Sequence, residues 1–233
     1  SISYEDLGRY FKEYDGSFVL LEIESGRYQV YNDANSKKRV SPDSTYKIIG
    51  SLVGLETEVL TNENTRMKWD ETVYPFEQWN KDQTLTSAIF HSVSWYFQKV
   101  DSLVGKNRIE SYLRQIGYGN VDLSGGINEF WLESSLKISP IEQVEIIKKL
   151  YTYELPFSQR NIDIVKKTIK LSDQDGVSLY GKTGTGIVNG NQLNGWFVGF
   201  VENKGKVFVF ATNIQGKTIT EGVTARIITL AIL

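Results

Sequence analysis

Two short strings could do chemistry: Ser44-Thr45-Tyr46-Lys47 near the start of the chain and Lys182-Thr183-Gly184 near its end. A Ser three residues ahead of a Lys on a helix shares a face with it, the Cβ atoms roughly 5–6 Å apart, close enough for hydroxyl and amine to share a proton. The chemistry would be attack by a serine whose proton passes to a lysine. Composition removes the usual rivals. With no Cys there is no thiolate nucleophile or Cys-ligated zinc, and with His91 as the single His a Ser-His-Asp triad would rest on that residue alone. A hydroxyl must supply the attack, and a Lys, Tyr or carboxylate the base.

Each string also has a plain structural reading. Ser44 could cap a helix and Lys47 be solvated, since such pairs arise often by chance. Against this, Lys47 directly precedes the apolar run Ile48, Ile49, Leu52, Val53 and Leu55. Burial there would pull its amine well below the usual pKa of roughly 10.4 and make it a base. Lys182-Thr183-Gly184-Thr185-Gly186 could be a Gly-rich hairpin with an exposed Lys. In the functional reading a ligand lies along the strand edge, Lys182 meets its carboxylate and Thr183 offers a hydroxyl. Ser92-Val93-Ser94, beside His91 and Trp95, reads first as a cap. Tyr118-Gly119-Asn120 reads first as a turn, and Phe130-Trp131-Leu132-Glu133 as core packing.

Elements able to position these residues follow from periodicity. A short helix is expected over Tyr4 to Phe11, then a hairpin of residues 18–23 and 28–31 turning at Gly26. Pro42 and the spacing of the apolar run place Ser44 at a helix start with Lys47 one turn in. From about Leu60 to Ile169 the pattern is mostly helical, clearest over Leu103 to Ile116 and Ile141 to Tyr153. Ser139-Pro140-Ile141-Glu142 opens the latter with a helix-start signature. Strand signals return at Val177 to Tyr180, Trp196 to Glu202 and Lys206 to Asn213, and a last helix is expected from about Thr220 to Leu233. Strands at both ends with helices between predict an α/β (α+β) protein, in which the termini build one antiparallel sheet and the middle a helical lobe. A cleft between them is the expected ligand site.

The 233 residues are 40% hydrophobic, 12% aromatic and 23% charged, with a formal net charge of −2, which is ordinary for a folded globular protein. That balance gives no footprint for nucleic acid and no polybasic membrane patch. No run of apolar residues is long enough to span a membrane, and no signal peptide is expected in this stretch. Lack of Cys fits an extracytoplasmic setting in a Gram-positive organism, and a cytosolic protein can lack Cys as well.

Ser-x-x-Lys, a second Ser motif and Lys-Thr-Gly occur here in the order that marks serine β-lactamases and penicillin-binding proteins, and the chain resembles that superfamily. Tyr118-Gly119-Asn120 and the stretch from Phe130 to Ser139 narrow the resemblance to class D β-lactamases and the BlaR and MecR type β-lactam-sensing receptors. The likeness runs from the Tyr14-Asp15-Gly16-Ser17-Phe18 hairpin to Phe210-Ala211-Thr212-Asn213. Class D enzymes usually carry an apolar residue two positions after the second motif's Ser, whereas this chain has the polar Ser94 where the receptors usually have Asn. Trp95-Tyr96-Phe97-Gln98 and Gly186-Ile187-Val188-Asn189-Gly190 also look like the receptors.

The resemblance implies a β-lactamase/transpeptidase-like fold, one penicillin-binding domain over residues 1–233, and β-lactam antibiotics as ligands. Ser44 would attack the lactam carbonyl, with Lys47, in this family often carboxylated by carbon dioxide, as the base. Trp131 would hydrogen-bond that carbamate through its indole N–H, and Ser92 would relay a proton to the lactam nitrogen. Lys182 and Thr183 would hold the drug carboxylate, joined by an Arg on the last helix for which Arg226 is the candidate. Backbone N–H groups of Ser44 and Thr185 would form the oxyanion hole. No other cofactor, no metal and no nucleic-acid partner is implied. The chain would be the sensor domain of a membrane-bound receptor on the extracellular face, acylated and slowly deacylated, or alternatively a secreted class D β-lactamase.

Overall fold

The strand signals at the two ends of the chain do meet in one sheet. A computed structural model describes residues 1–217 and 219–233. Its strands are β1 (Ile2–Tyr4), β2 (Asp15–Glu22), β3 (Arg27–Tyr31), β4 (Lys170–Gln174), β5 (Val177–Val188), β6 (Asn191–Asn203) and β7 (Lys206–Gln215), in the spatial order β1-β3-β2-β7-β6-β5-β4. The join between the two ends is antiparallel, β2 on β7, with Val19 opposite Ala211. The outermost strands depart from expectation. Tyr4, expected to open the first helix, instead ends Ile2–Tyr4, which adds in parallel to the free edge of β3, and the helix is confined to Gly8–Phe11. Strand β4 has the polar sequence KLSDQ, so no apolar alternation announces it; it is formed by pairing with the edge of β5.

The helices are α1 (Gly8–Phe11), α2 (Asp33–Ser36), α3 (Lys47–Glu56), α4 (Leu85–Phe90), α5 (Ser94–Val104), α6 (Lys106–Ile116), α7 (Pro140–Tyr151), α8 (Gln159–Thr168) and α9 (Gly222–Ile232). The helix expected over Leu103 to Ile116 is interrupted at Gly105, so α5 and α6 are separate. The intervening lobe is less helical than its apolar pattern suggests, with long irregular connections at 57–84 and 117–139. Helix α7 starts where its sequence says it should. Ser139 Oγ accepts the N–H of Glu142, the Glu142 carboxylate accepts the N–H of Ser139, and Pro140 occupies the first turn.

Helix α3 is the centre of the packing. Every residue from Lys47 to Leu55 is buried, so it is surrounded rather than amphipathic. The larger core fills the space between the sheet and the helical lobe around α3, with Leu52, Phe97, Leu113, Trp131, Val144 and Phe200 among its members. A smaller core of Phe11, Phe18, Phe197, Phe210, Ala225 and Ile228 lies on the other face of the sheet, under α1 and α9. A turn of 3-10 helix, Asp43–Tyr46, leads into α3 and lies against β5 and β6. It therefore sits at the seam between sheet and lobe. Leu52 is fully buried, whereas Ile227 on the outer face of α9 is 62% exposed. Leu52→Ala is expected to cost about 2–5 kcal/mol. Ile227→Ala should stay within about 0.5 kcal/mol, both read by urea denaturation.

Candidate active site

Lys47 is fully buried, and its amine is surrounded by oxygen. Its Nζ lies 2.8 Å from Ser44 Oγ, 2.8 Å from Ser92 Oγ, 2.8 Å from the Ser92 carbonyl and 3.1 Å from Ser94 Oγ. The rings of Trp131 and Phe97 wall the remaining sides, their centroids 5.4 and 5.8 Å away. Desolvation, helped by the nearby Lys182, holds the Lys47 pKa well below the ordinary lysine value. The amine can therefore exist neutral and take the Ser44 proton across their hydrogen bond. The spacing of the sequence motif is realised by the 3-10 turn, which carries Ser44, passing into α3, which begins at Lys47.

Ser92 bridges two amines, since Lys182 Nζ lies 3.1 Å from the same Oγ. Lys182 also donates to the Thr183 carbonyl at 2.9 Å, and burial pulls its pKa down to about 7. Ser92 reaches both because its backbone adopts φ 52°, an uncommon conformation for a residue with a side chain. Neighbouring bonds fix that conformation. Trp79 donates its indole N–H to the His91 carbonyl, and the Val93 N–H bonds back to Ala88. Ser94 is the first residue of α5, so its hydroxyl is aimed by the start of a helix whose Phe97 walls the same pocket.

The C-terminal motif closes the site from the sheet side. Strand β5 passes so near the nucleophile's turn that a Cβ on Gly184 would lie 3.2 Å from Ser44 N and 3.1 Å from the Pro42 carbonyl. Gly at this position lets the strand edge and the Ser44 turn approach each other. Thr45 Oγ1 donates to the Pro42 carbonyl and accepts from Gln143 of α7, which pins the turn from the other side. A cavity of about 510 Å³ opens here, lined by Ser44, Ser92, Ser94, Thr183 and Thr185, with Tyr74, Phe76, Trp79, Leu132 and Ile187 toward its mouth. Polar groups at one end and an aromatic and aliphatic mouth suit a ligand with a polar reactive core and an apolar substituent.

The predicted residues Ser44, Lys47, Ser92, Ser94, Lys182, Thr183 and Thr185 converge. Two others are placed differently. Trp131 does wall the pocket, but its indole N–H is donated to Asp101 Oδ2 at 2.8 Å and not toward the Lys47 amine. Asp101 is fully buried, also faces the Tyr46 hydroxyl at 3.4 Å, and is pushed up by burial to about 7. Arg226 lies on the opposite face of the sheet with its guanidinium 5.9 Å from the Phe197 ring, and does not line the cavity. Helix α9 meets the site through Gly222, whose N–H donates to Thr185 Oγ1 at 2.9 Å. Asp43 and Asn194 were not singled out by the sequence, and Glu133 only as part of a core-packing string, yet the three brace the Ser44 turn; a carboxylate directly before Ser44 was the available signal. Among the described residues no group of three or more His, Cys, Asp or Glu could hold a metal ion.

Residues 16–233 match the family model of the penicillin binding protein transpeptidase domain. The chain is 43% identical over 235 residues to the regulatory protein BlaR1 of Bacillus licheniformis, covering all of this chain and 39% of that protein. The chain thus spans about two fifths of the length of the curated relatives it matches first. Among solved structures, the C-terminal domain of the Bacillus licheniformis BlaR penicillin-receptor superposes with a TM-score of 0.95 at 43% identity, over 100% of this chain and 95% of that one. The class D β-lactamase BAT-2 superposes with a TM-score of 0.93 at 39% identity, covering 98% of this chain and 94% of that one. These values span both the receptor and the enzyme branches. Since Lys182 is cationic below about pH 7 and neutral above it, the second-order rate constant for acylation by an anionic acyl donor is expected to fall as pH rises through that value. Lys182→Arg should remove this alkaline limb in a stopped-flow pH profile, because its guanidinium stays charged.

Proposed function

The chain belongs to the penicillin-binding protein transpeptidase domain family, and from that premise we propose that it is the extracellular sensor domain of a membrane-bound β-lactam receptor, acylated at Ser44 and slow to deacylate. Neutral Lys47 takes the Ser44 proton as Oγ adds to the lactam carbonyl carbon. The oxyanion is met by the backbone N–H groups of Ser44 and Thr185. The proton then passes from Lys47 through Ser92 to the lactam nitrogen as the C–N bond breaks, leaving an ester on Ser44 and a neutral Lys47. Lys182 and Thr183 hold the drug carboxylate, and the aromatic mouth takes the acyl side chain. Among the described residues no helix is long and apolar enough to cross a membrane.

The observation that carries this reading is the set of partners on Lys47. A neutral amine offers two hydrogens and one lone pair, and four oxygens already lie within 3.1 Å of it. Hydrolysis of the ester would need that lone pair to activate a water, or a carbamate on the same nitrogen to do so. The Ser94 hydroxyl, 3.1 Å from the nitrogen, would donate to that lone pair when the amine is neutral, and the Trp131 N–H that could stabilise a carbamate is held by Asp101. Lys47 is therefore proposed to work as a free amine in acylation and to be occupied afterwards. The second reading, a class D β-lactamase that turns over, is favoured by the superposition on BAT-2.

Incubation with a penicillin should add one drug mass to the intact protein, with no adduct in Ser44→Ala. The adduct should persist for many minutes, and rapid sustained hydrolysis would decide for the enzyme. Ser94→Val, with bicarbonate present, is expected to shorten the adduct lifetime by about tenfold or more, equivalent to about 1.4 kcal/mol on the deacylation barrier. An unchanged lifetime in that variant would remove Ser94 from the account.

A further inference from the structure

Asp43, the residue immediately before the nucleophile, is 1% exposed and has φ 47°. Its carboxyl lies beside that of Glu133, the two sharing the Asn194 side-chain nitrogen as a neighbour, and Glu133 is half-buried at φ 46° on the loop after Trp131. Left-handed backbone at two non-glycine residues is kept only where the surroundings demand it. Here they demand that two acids meet.

The donors around the pair do not suffice for two carboxylates. The Asn194 side-chain nitrogen of β6 lies 2.9 Å from Asp43 Oδ2, 3.0 Å from Glu133 Oε2 and 2.9 Å from the Ser41 carbonyl, three acceptors for two hydrogens. Asp43 Oδ1 accepts the Glu133 N–H at 3.2 Å and faces Ser41 Oγ at 3.4 Å. Among the described residues no Lys or Arg forms an ion pair with either acid. The other titratable groups facing Asp43 are the Lys47 amine on α3 and the Tyr118 phenol. Two like charges so placed cannot both persist.

We propose that Asp43 is a neutral carboxylic acid whose proton bonds to the Glu133 carboxylate, and that this bond is a positioning device for the oxyanion hole. Its reach into the hole is geometric. A Cβ on Gly186 would lie 2.6 Å from Asp43 Oδ2 and 2.5 Å from Glu133 Oε2, so the backbone of β5 rests directly on the pair. One expected oxyanion donor, the N–H of Ser44, follows Asp43 in the chain. The other, the N–H of Thr185, precedes Gly186. The acid pair thus ties together both donors, through the turn on one side and the strand on the other. Burial and the Glu133 carboxyl both raise the Asp43 pKa, in keeping with this arrangement. Loss of the proton would set two carboxylates against each other under the strand and separate the donors.

The test compares wild type with Asp43→Asn and Glu133→Gln, in which an amide N–H replaces the shared proton. In wild type the folded state holds a proton that unfolded Asp43 releases near pH 3.9, so its stability falls from about pH 4 up to the pH at which folded Asp43 ionises. The Tm of either variant relative to wild type should therefore rise over that interval. A difference that does not vary with pH in both variants overturns the shared proton. For the oxyanion hole, the ratio of the Asp43→Asn to wild-type acylation constants should rise about tenfold as pH passes through the ionisation of folded Asp43, which the thermal arm locates. The limb set by Lys182, whose pKa is moved by burial alone, cancels in that ratio. A flat ratio beside a changing Tm overturns the positioning role. This kinetic arm rests on the acylation reading, whereas the thermal arm needs no β-lactam. Absence of any adduct with the thermal signature intact would therefore refute the proposed function and leave the shared proton standing.

Discussion

A lysine amine buried without a carboxylate partner is the constraint on which this structure turns. Removing an ammonium from water costs several kcal/mol, and a buried lysine escapes that cost by releasing its proton. The neutral amine then needs hydrogen bonds of its own, and Ser44, Ser92 and Ser94 supply them. Each serine comes from a different local geometry: a 3-10 turn, a left-handed loop residue and a helix start. Much of the architecture can be understood as the means of bringing those three to one nitrogen. Helix α3 is buried on every side because its first residue must be.

The fold class and the contact of Ser44 with Lys47 were legible in the sequence because they rest on local signals. Ser-x-x-Lys ahead of an apolar run, Pro and Ser at helix starts, and alternating strands at both ends each report on a few neighbouring residues. What was not legible depends on residues far apart in the chain. Strand β4 has no apolar alternation and is formed by the edge of β5. The direction of the Trp131 indole is set by Asp101, 30 positions away and itself buried among apolar groups. Arg226 had the right charge and the right helix, but the periodicity of α9 turns it over Phe197 on the far face of the sheet. Asp43 carried no signal beyond its place before Ser44. Its role depends on Glu133 and Asn194, brought in from 90 and 151 positions along the chain.

Acylation and hydrolysis ask different things of the same lysine. Acylation needs one proton moved from Ser44 to the lactam nitrogen, and Ser92, bonded to both Lys47 and Lys182, lies on that path. Hydrolysis needs a second, later deprotonation of water, after the ester has displaced the Ser44 hydroxyl from the amine. In an apolar pocket the amine would then have a free lone pair. Here the Ser94 hydroxyl remains beside it, able to donate to that lone pair. An additional hydrogen-bond partner on a base lowers its readiness to accept a proton from elsewhere, because the existing bond must be given up first.

Lifetime is what separates a receptor from an enzyme when both form the same ester. An enzyme gains from every interaction that lowers the second barrier, whereas a receptor reports ligand for as long as that barrier stays high. Under the proposed function the residues beside Lys47 would act on that barrier and spare the first step, since Ser94 does not stand between Ser44 and the amine. The oxyanion hole serves both steps and so cannot by itself distinguish them. The distinction therefore falls on which atoms remain within reach of one nitrogen once Ser44 has been acylated, and a hydroxyl at Ser94 is enough to change that set.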